Sequence, residues 1–246
     1  RTQIHRALFI TVLILLSTTS LSKREIPQSD KLGHRKAENP TKNPHTKTHR
    51  KEADLEGPPV RCPNSDDRIY SLPYWEEGNY FPCMFSGVVK SNPEKEHYLF
   101  YWLFRNMELT ENPALVFWFN GGPGSSSMFG NFVENGPIRV KKTGATNDDF
   151  SVNLNEDGSW LDIANVVFID QPVGVGFSYY EDEPLQLMQD GADEIVNFIL
   201  GFYEIHPEFK TMPLIITGES YAGKYIPIFS QTIMDYNDNL QAGLDQ

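Results

Sequence analysis

The stretch Leu214-Ile215-Ile216-Thr217-Gly218-Glu219-Ser220-Tyr221-Ala222-Gly223 constrains the fold more than any other. An apolar, β-branched run leads into a glycine, an acid and a serine, then small residues. A segment of helical character follows from Lys224 to about Met234. Strand, sharp turn and helix together lift a serine clear of a sheet, provided that the flanking positions are small. Gly218, Ala222 and Gly223 meet that need. Ser220 then stands at the carboxyl end of a strand, before a helix amino terminus whose unpaired N–H groups suit a developing negative charge. A tight turn with Ser220 as a plain helix cap is the competing reading.

Upstream, His97–Phe104, Ala114–Phe119 and Asn165–Asp170 read as further strands, and Leu185–Tyr203 as a helix with Ile195, Ile199 and Phe202 on one face. Fully apolar strands alternating with helices predict an α/β sheet with crossover connections. Two more strands end in unusual loops. One is Asn120-Gly121-Gly122-Pro123-Gly124-Ser125-Ser126-Ser127; the other runs from Asp170-Gln171-Pro172 through Gly174 and Gly176 to Tyr179. Ligands of open α/β sheets sit beyond the carboxyl ends of strands, so three such loops imply a site. The Gly121–Gly124 loop lacks the Lys-Ser/Thr of a phosphate cradle. It suits an oxyanion-binding bend, where glycine lets main-chain N–H groups approach a substrate oxygen.

The remaining chain sets the context. Arg1 and Arg6 flank the apolar run Ala7–Leu16, and Ser17–Ser20 follow, so residues 1–22 are expected to be a signal peptide. That run is well short of the ~20 residues that span a bilayer. Residues 23–61 are nearly devoid of apolar side chains and are expected to be a disordered linker or propeptide. His34, His45 and His49 lack the spacing or partners of a metal site. Residues 1–61 hold twelve Lys and Arg against six acids, a surplus of +6; residues 62–246 hold nine against twenty-seven, a surplus of −18. An acidic globular part argues against nucleic acid as partner and suits an acidic compartment. Cys62 and Cys83 are expected to pair after a leader of this kind, with two free thiols or partners elsewhere as the alternatives.

Trp118-Phe119-Asn120-Gly121-Gly122-Pro123-Gly124, Ile169-Asp170-Gln171-Pro172-Val173-Gly174-Val175-Gly176-Phe177-Ser178-Tyr179 and Gly218-Glu219-Ser220-Tyr221-Ala222-Gly223 together resemble the serine carboxypeptidases. Met128-Phe129-Gly130 is similar to the vitellogenic-carboxypeptidase-like branch. The resemblance covers roughly residues 70–240. It implies an α/β-hydrolase-type mixed sheet with crossover helices, with residues 62–246 as the amino-terminal part of the catalytic domain and the sheet incomplete on its C-terminal side. It implies Ser220 as nucleophile and the N–H groups of Gly122 and Tyr221 as the oxyanion hole. Trp118, Asn120, Gly121 and Glu219 would hold the free carboxylate of a peptide substrate, and Tyr221 would border the pocket for the residue before the scissile bond. The chemistry passes through an acyl-enzyme and needs neither metal nor cofactor. The expected route is secretory, to the outside or to a lysosome or vacuole, with no membrane attachment once the leader is removed. A Glu219 carboxylate facing a substrate carboxylate favours binding in acid, where the two share one proton.

Two departures stand out. Ser125 occupies a position where the family usually has cysteine. No histidine follows Ser220, although the chain order in this fold is Ser, Asp, His. His97 and His206 precede the serine, and Asp235, Asp238 and Asp245 follow it too closely. The expectation is therefore a fragment without peptidase activity of its own, whose truncated sheet exposes an unpaired, apolar edge strand and so favours aggregation over a stable fold. An acyltransferase on the same scaffold and an inactive binding relative are the alternative functions.

Overall fold

In the computed structural model the described residues are 10–12, 61–77, 79–109, 113–146 and 149–244. The strands in chain order are β1 (Ile10–Val12), β2 (Arg68–Ile69), β3 (Cys83–Lys90), β4 (His97–Arg105), β5 (Leu115–Phe119), β6 (Ile138–Lys142), β7 (Phe150–Leu154), β8 (Asn165–Ile169), β9 (Tyr179–Tyr180) and β10 (Leu214–Gly218). The helices are α1 (Met188–Ile205) and α2 (Ala222–Leu244). The main sheet runs β1-β10-β5-β8-β4-β3-β2, with β9 paired to the start of β4, and β6 and β7 form a separate hairpin. β1, β10, β5 and β8 are parallel; β4 turns antiparallel against β8, and β3 against β4. This is the α/β sheet with crossovers predicted by the strand and helix pattern, in the mixed, hydrolase-type form that the family resemblance implies.

The apolar runs are strands because side chains alternate faces and both faces are covered. From β4, β5 and β8, Leu99, Tyr101, Leu103, Leu115, Phe117, Phe119, Val167 and Ile169 pack with Phe198, Phe202 and Phe229 of the two helices. Their neighbours Phe104, Trp118, Val166 and Phe168 point to the other face, with Met84, Met128, Ile138 and Val152. That second face is roofed by the excursion between β5 and β8: a π-helical turn (Gly130–Glu134), the β6–β7 hairpin and a short 3-10 turn (Trp160–Asp162). Trp118 meets Trp160 edge-on, with ring centroids 5.1 Å apart.

Helix boundaries differ from the expectation at both helices. α1 starts at Met188, where the Asp190 carboxylate accepts the Leu187 N–H at 3.2 Å, and ends before Pro207. α2 continues to Leu244, well past Met234, and contains Pro227 near its start. Tyr225, Ile226, Phe229 and Ile233 bury one face of α2, and this packing outweighs the cost of the proline and carries the polar continuation.

The edge of β10 is not bare. Ile10, Thr11 and Val12 pair in parallel with Leu214, Ile215 and Ile216. A tripeptide of three β-branched residues supplies the N–H and C=O groups that the edge lacks. The rest of the expected leader, residues 1–9 and 13–22, and the expected linker up to residue 60 lie outside the described residues. Cys62 and Cys83 are disulfide-bonded, with Cα atoms 5.5 Å apart. Among the described residues no helix is long and apolar enough to cross a membrane.

A half-buried polar joint fastens the start of the domain to the core. Asp67 accepts hydrogen bonds from His206 Nε2 (2.8 Å), Tyr101 OH (2.7 Å) and Ser65 Oγ (2.5 Å). Burial alone would push Asp67 up; the bonds from His206, Ser65 and Tyr101 overcome it and hold the carboxyl at about 2, below the ordinary 3.8. A depressed carboxyl stabilises the fold above its unfolded-state value and loses that contribution as pH falls through the folded-state value. Asp67→Asn is therefore expected to lower the urea midpoint at neutral pH. Its deficit against wild type should shrink between about pH 4 and about pH 2; a deficit constant across that window would refute the assignment.

Candidate active site

β5 and β10 lie side by side in parallel, with Phe119 opposite Gly218. Both strands therefore release their loops at the same level. The Glu219 N–H donates to the Phe119 carbonyl at 3.2 Å, which carries the pairing one residue beyond the strand. Room at this corner is minimal. A Cβ on Gly218 would stand 2.3 Å from the Phe119 carbonyl oxygen, and one on Gly121 would stand 2.5 Å from the Tyr221 nitrogen and 3.0 Å from Ser220 Cβ. Only glycine allows the Gly121–Ser127 loop to lie against the serine corner.

Ser220 has φ 54°, in the left-handed region that a residue with a Cβ seldom adopts. Such strain persists only where the surroundings enforce it. Here they are the β10 pairing before it and the α2 start after it, where Ala222 N–H bonds to Glu219 O (2.9 Å) and Gly223 N–H to Ser220 O (3.0 Å). The Ser220 side chain is exposed, and Oγ has no hydrogen-bond partner among the described residues.

Asn120, buried at the end of β5, organises the adjoining polar cluster. Its Oδ1 accepts Trp118 Nε1–H at 2.8 Å and the Gly130 N–H at 3.1 Å, which fixes the orientation of the amide. Its Nδ2 therefore points at two carboxylates, Glu219 Oε1 at 3.1 Å and Glu134 at 3.4 and 3.5 Å from its two oxygens. Burial and the neighbouring Glu219 charge raise the Glu134 carboxyl, against the Asn120 bond that lowers it. A raised Glu134 keeps its proton to higher pH than an ordinary glutamate, and in acid it can offer that proton to another carboxylate.

Asp170 holds the oxyanion-type loop against the loop after β8. It is fully buried and accepts from Ser126 Oγ (2.7 Å), Ser127 N–H (2.8 Å) and Phe177 N–H (2.9 Å). Burial raises this carboxyl, and those bonds pull the other way. Gly122, at φ 109°, begins a cis peptide to Pro123 within this loop.

Of the residues singled out in the sequence, Gly121, Ser220 and Tyr221 converge at one corner, Asn120 and Glu219 meet beside them, and Trp118 reaches the cluster through Asn120. Gly122 belongs to the same loop as Gly121. Sequence reasoning missed Glu134. Its one signal was an acid at the end of the turn begun by Met128-Phe129-Gly130, and only the fold brings that turn beside Asn120. Neither upstream histidine is free to serve Ser220. His206 is bonded to Asp67, and His97 to Glu194 at 2.5 Å.

The profile of the serine carboxypeptidase family matches residues 77–244. A pheromone-processing carboxypeptidase of Arthroderma otae is 38% identical over 179 residues, which are 72% of this chain and 27% of that protein. Its counterpart in Aspergillus oryzae is 37% identical over 188 residues, 75% of this chain and 29% of that protein. Among solved structures, a prohormone-processing carboxypeptidase from Saccharomyces cerevisiae superposes with a TM-score of 0.57 at 33% identity, over 64% of this chain and 35% of that one. The chain thus spans less than a third of the curated relatives named here.

The acid pair has a measurable signature. A carboxyl raised in the folded state weakens the fold above its folded-state value, and the penalty disappears as pH falls through it. Glu134→Gln is expected to raise the urea midpoint at about pH 7.5 and to leave it unchanged at about pH 4. A loss of stability at the higher pH would show that the two carboxylates do not repel each other.

Proposed function

Because this chain belongs to the serine carboxypeptidase family, we propose that its site is the serine and carboxylate-binding part of a centre that removes C-terminal residues from peptides. The observation that carries this reading is the Asn120 amide held between Glu134 and Glu219, next to an exposed serine at a left-handed corner.

In this reading a peptide enters with its terminal carboxylate toward Asn120, Gly121 and Glu219. Trp118 fixes the Asn120 amide, and Glu134 joins Glu219 in sharing a proton with the substrate carboxylate. The negative charge of a dissociated terminus is then accepted without an arginine, at a pH low enough to leave a proton in the cluster. Ser220 Oγ attacks the carbonyl of the last peptide bond. The N–H groups of Gly122 and Tyr221 receive the oxyanion, and departure of the terminal residue leaves an acyl-enzyme for water to release. The attack needs a base for the serine proton, and residues 221–246 contain no histidine. The chain's own residues therefore account for recognition and oxyanion stabilisation, and proton transfer calls for a partner outside them. The basic flank and apolar run at residues 1–16 support a secretory route, to the outside or to a lysosome or vacuole.

Recognition can be tested on the chain as it stands. Calorimetric titration with an acylated dipeptide is expected to give tighter binding at about pH 5 than at about pH 7.5, loss of binding when the terminus is an amide, and a flattened pH dependence in Glu219→Gln. Equal binding of the acid and amide forms would sink the carboxypeptidase reading.

A further inference from the structure

His97, at the start of β4, is fully buried and takes no part in the chemistry above. Its ring is held from both sides. Nδ1 lies 2.5 Å from Glu194 Oε1 of α1, and Nε2 lies 2.7 Å from the Glu183 carbonyl and 3.0 Å from Asp182 Oδ1. A carbonyl can only accept, so Nε2 carries hydrogen. Glu194 Oε1 also accepts Asn92 Nδ2–H at 3.2 Å, and Oε2 accepts Ser91 Oγ–H at 3.3 Å. Both ring nitrogens are thus engaged, one by the Glu183 carbonyl and Asp182, the other by Glu194. The other titratable groups of the neighbourhood are engaged among themselves: Glu96 with Lys90 (2.6 Å) and Tyr98 (2.5 Å). Tyr180 of β9 presents its ring at 6.1 Å from His97.

The two anchors bracket one stretch of chain. Glu183 precedes Leu185, Gln186, Leu187 and Met188; Glu194 follows them and Gly191. These five residues line a cavity of about 220 Å³ whose other wall includes Pro123, Tyr221, Tyr225 and Phe229. Tyr221 is the neighbour of Ser220 and carries one of the two proposed oxyanion N–H groups. We propose that His97, through hydrogen bonds to the Glu183 carbonyl and the Glu194 carboxylate, is a positioning residue that pins both ends of the Pro184–Asp193 stretch and so sets the wall of the apolar cavity beside Tyr221. Calling that cavity part of a substrate site rests on the carboxypeptidase reading; the clamp does not.

Hydrogen exchange on the full chain, read by mass spectrometry and corrected for intrinsic rates, tests the clamp without any hydrolysis. In His97→Gln, exchange of residues 181–188 is expected to rise about tenfold at neutral pH, with β5 and β8 unchanged. Glu194→Gln, which alters the other partner of the ring, should raise exchange of the same residues. A His97→Gln effect spread evenly over the sheet overturns the proposal, as does exchange of 181–188 equal to that of wild type. If His97→Gln fails to fold, Glu194→Gln decides between these outcomes. Failure of peptide binding with an intact exchange response would remove the enzymatic reading and leave the clamp standing.

Discussion

The parallel register of β5 and β10 is the constraint on which the rest depends. With Phe119 opposite Gly218, two chain segments about a hundred residues apart leave the sheet side by side. That juxtaposition puts Asn120 within 3.1 Å of Glu219 and lays Gly121 against the Ser220 corner. A slip of one residue would reverse the faces of every side chain on the moved strand, taking Thr217 and Trp118 to the helix side and Phe117 or Ile216 to the other. The aromatic packing of Phe117 against Phe198 and Phe202, with centroids 5.8 and 5.6 Å apart, fixes the face that β5 presents. Core packing and site geometry are in this sense one specification.

The central strands and the serine corner were legible because their signals are local. A continuous apolar run such as Leu115–Phe119 has only one comfortable destination, and Gly218 and Gly121 mark places where backbone meets backbone. The disulfide was also legible, since two cysteines offer one intramolecular pairing. What escaped the sequence was set at a distance. Glu134 is an ordinary acid until the excursion after β5 folds back over Trp118. α2 runs past Met234 because Phe229 and Ile233 are held by the sheet, an influence that the polar residues after Asp235 do not advertise. β1 was hidden by its resemblance to the core of a leader peptide: extended and helical readings of a short apolar run look alike until a strand edge is there to receive it.

Three ionisable side chains, the half-buried Asp67 and the buried Asp170 and His97, act as fasteners between segments remote in sequence. Asp67 ties the disulfide-bonded start of the domain to β4 and the end of α1. Asp170 ties the glycine loop to the loop after β8. His97 ties β4 to α1 and to the segment before it. Each is surrounded by specific partners, the condition under which a charge is tolerated away from water. None touches Ser220, yet two of them border the loops that surround it. Precision at the corner thus rests on polar joints set back from it, while the apolar core provides the rigid floor.

The pairing of Ile10–Val12 with β10 has a consequence for any cut in the chain between them. The strand that delivers Ser220 is flanked on one side by β5 and on the other by Ile10–Val12. Cleavage after this tripeptide, with loss of the released piece, would strip one flank from the strand behind Ser220 and bare a ladder of main-chain donors and acceptors. The ladder would then have to be covered from elsewhere, so that cutting the chain and completing its sheet become coupled events.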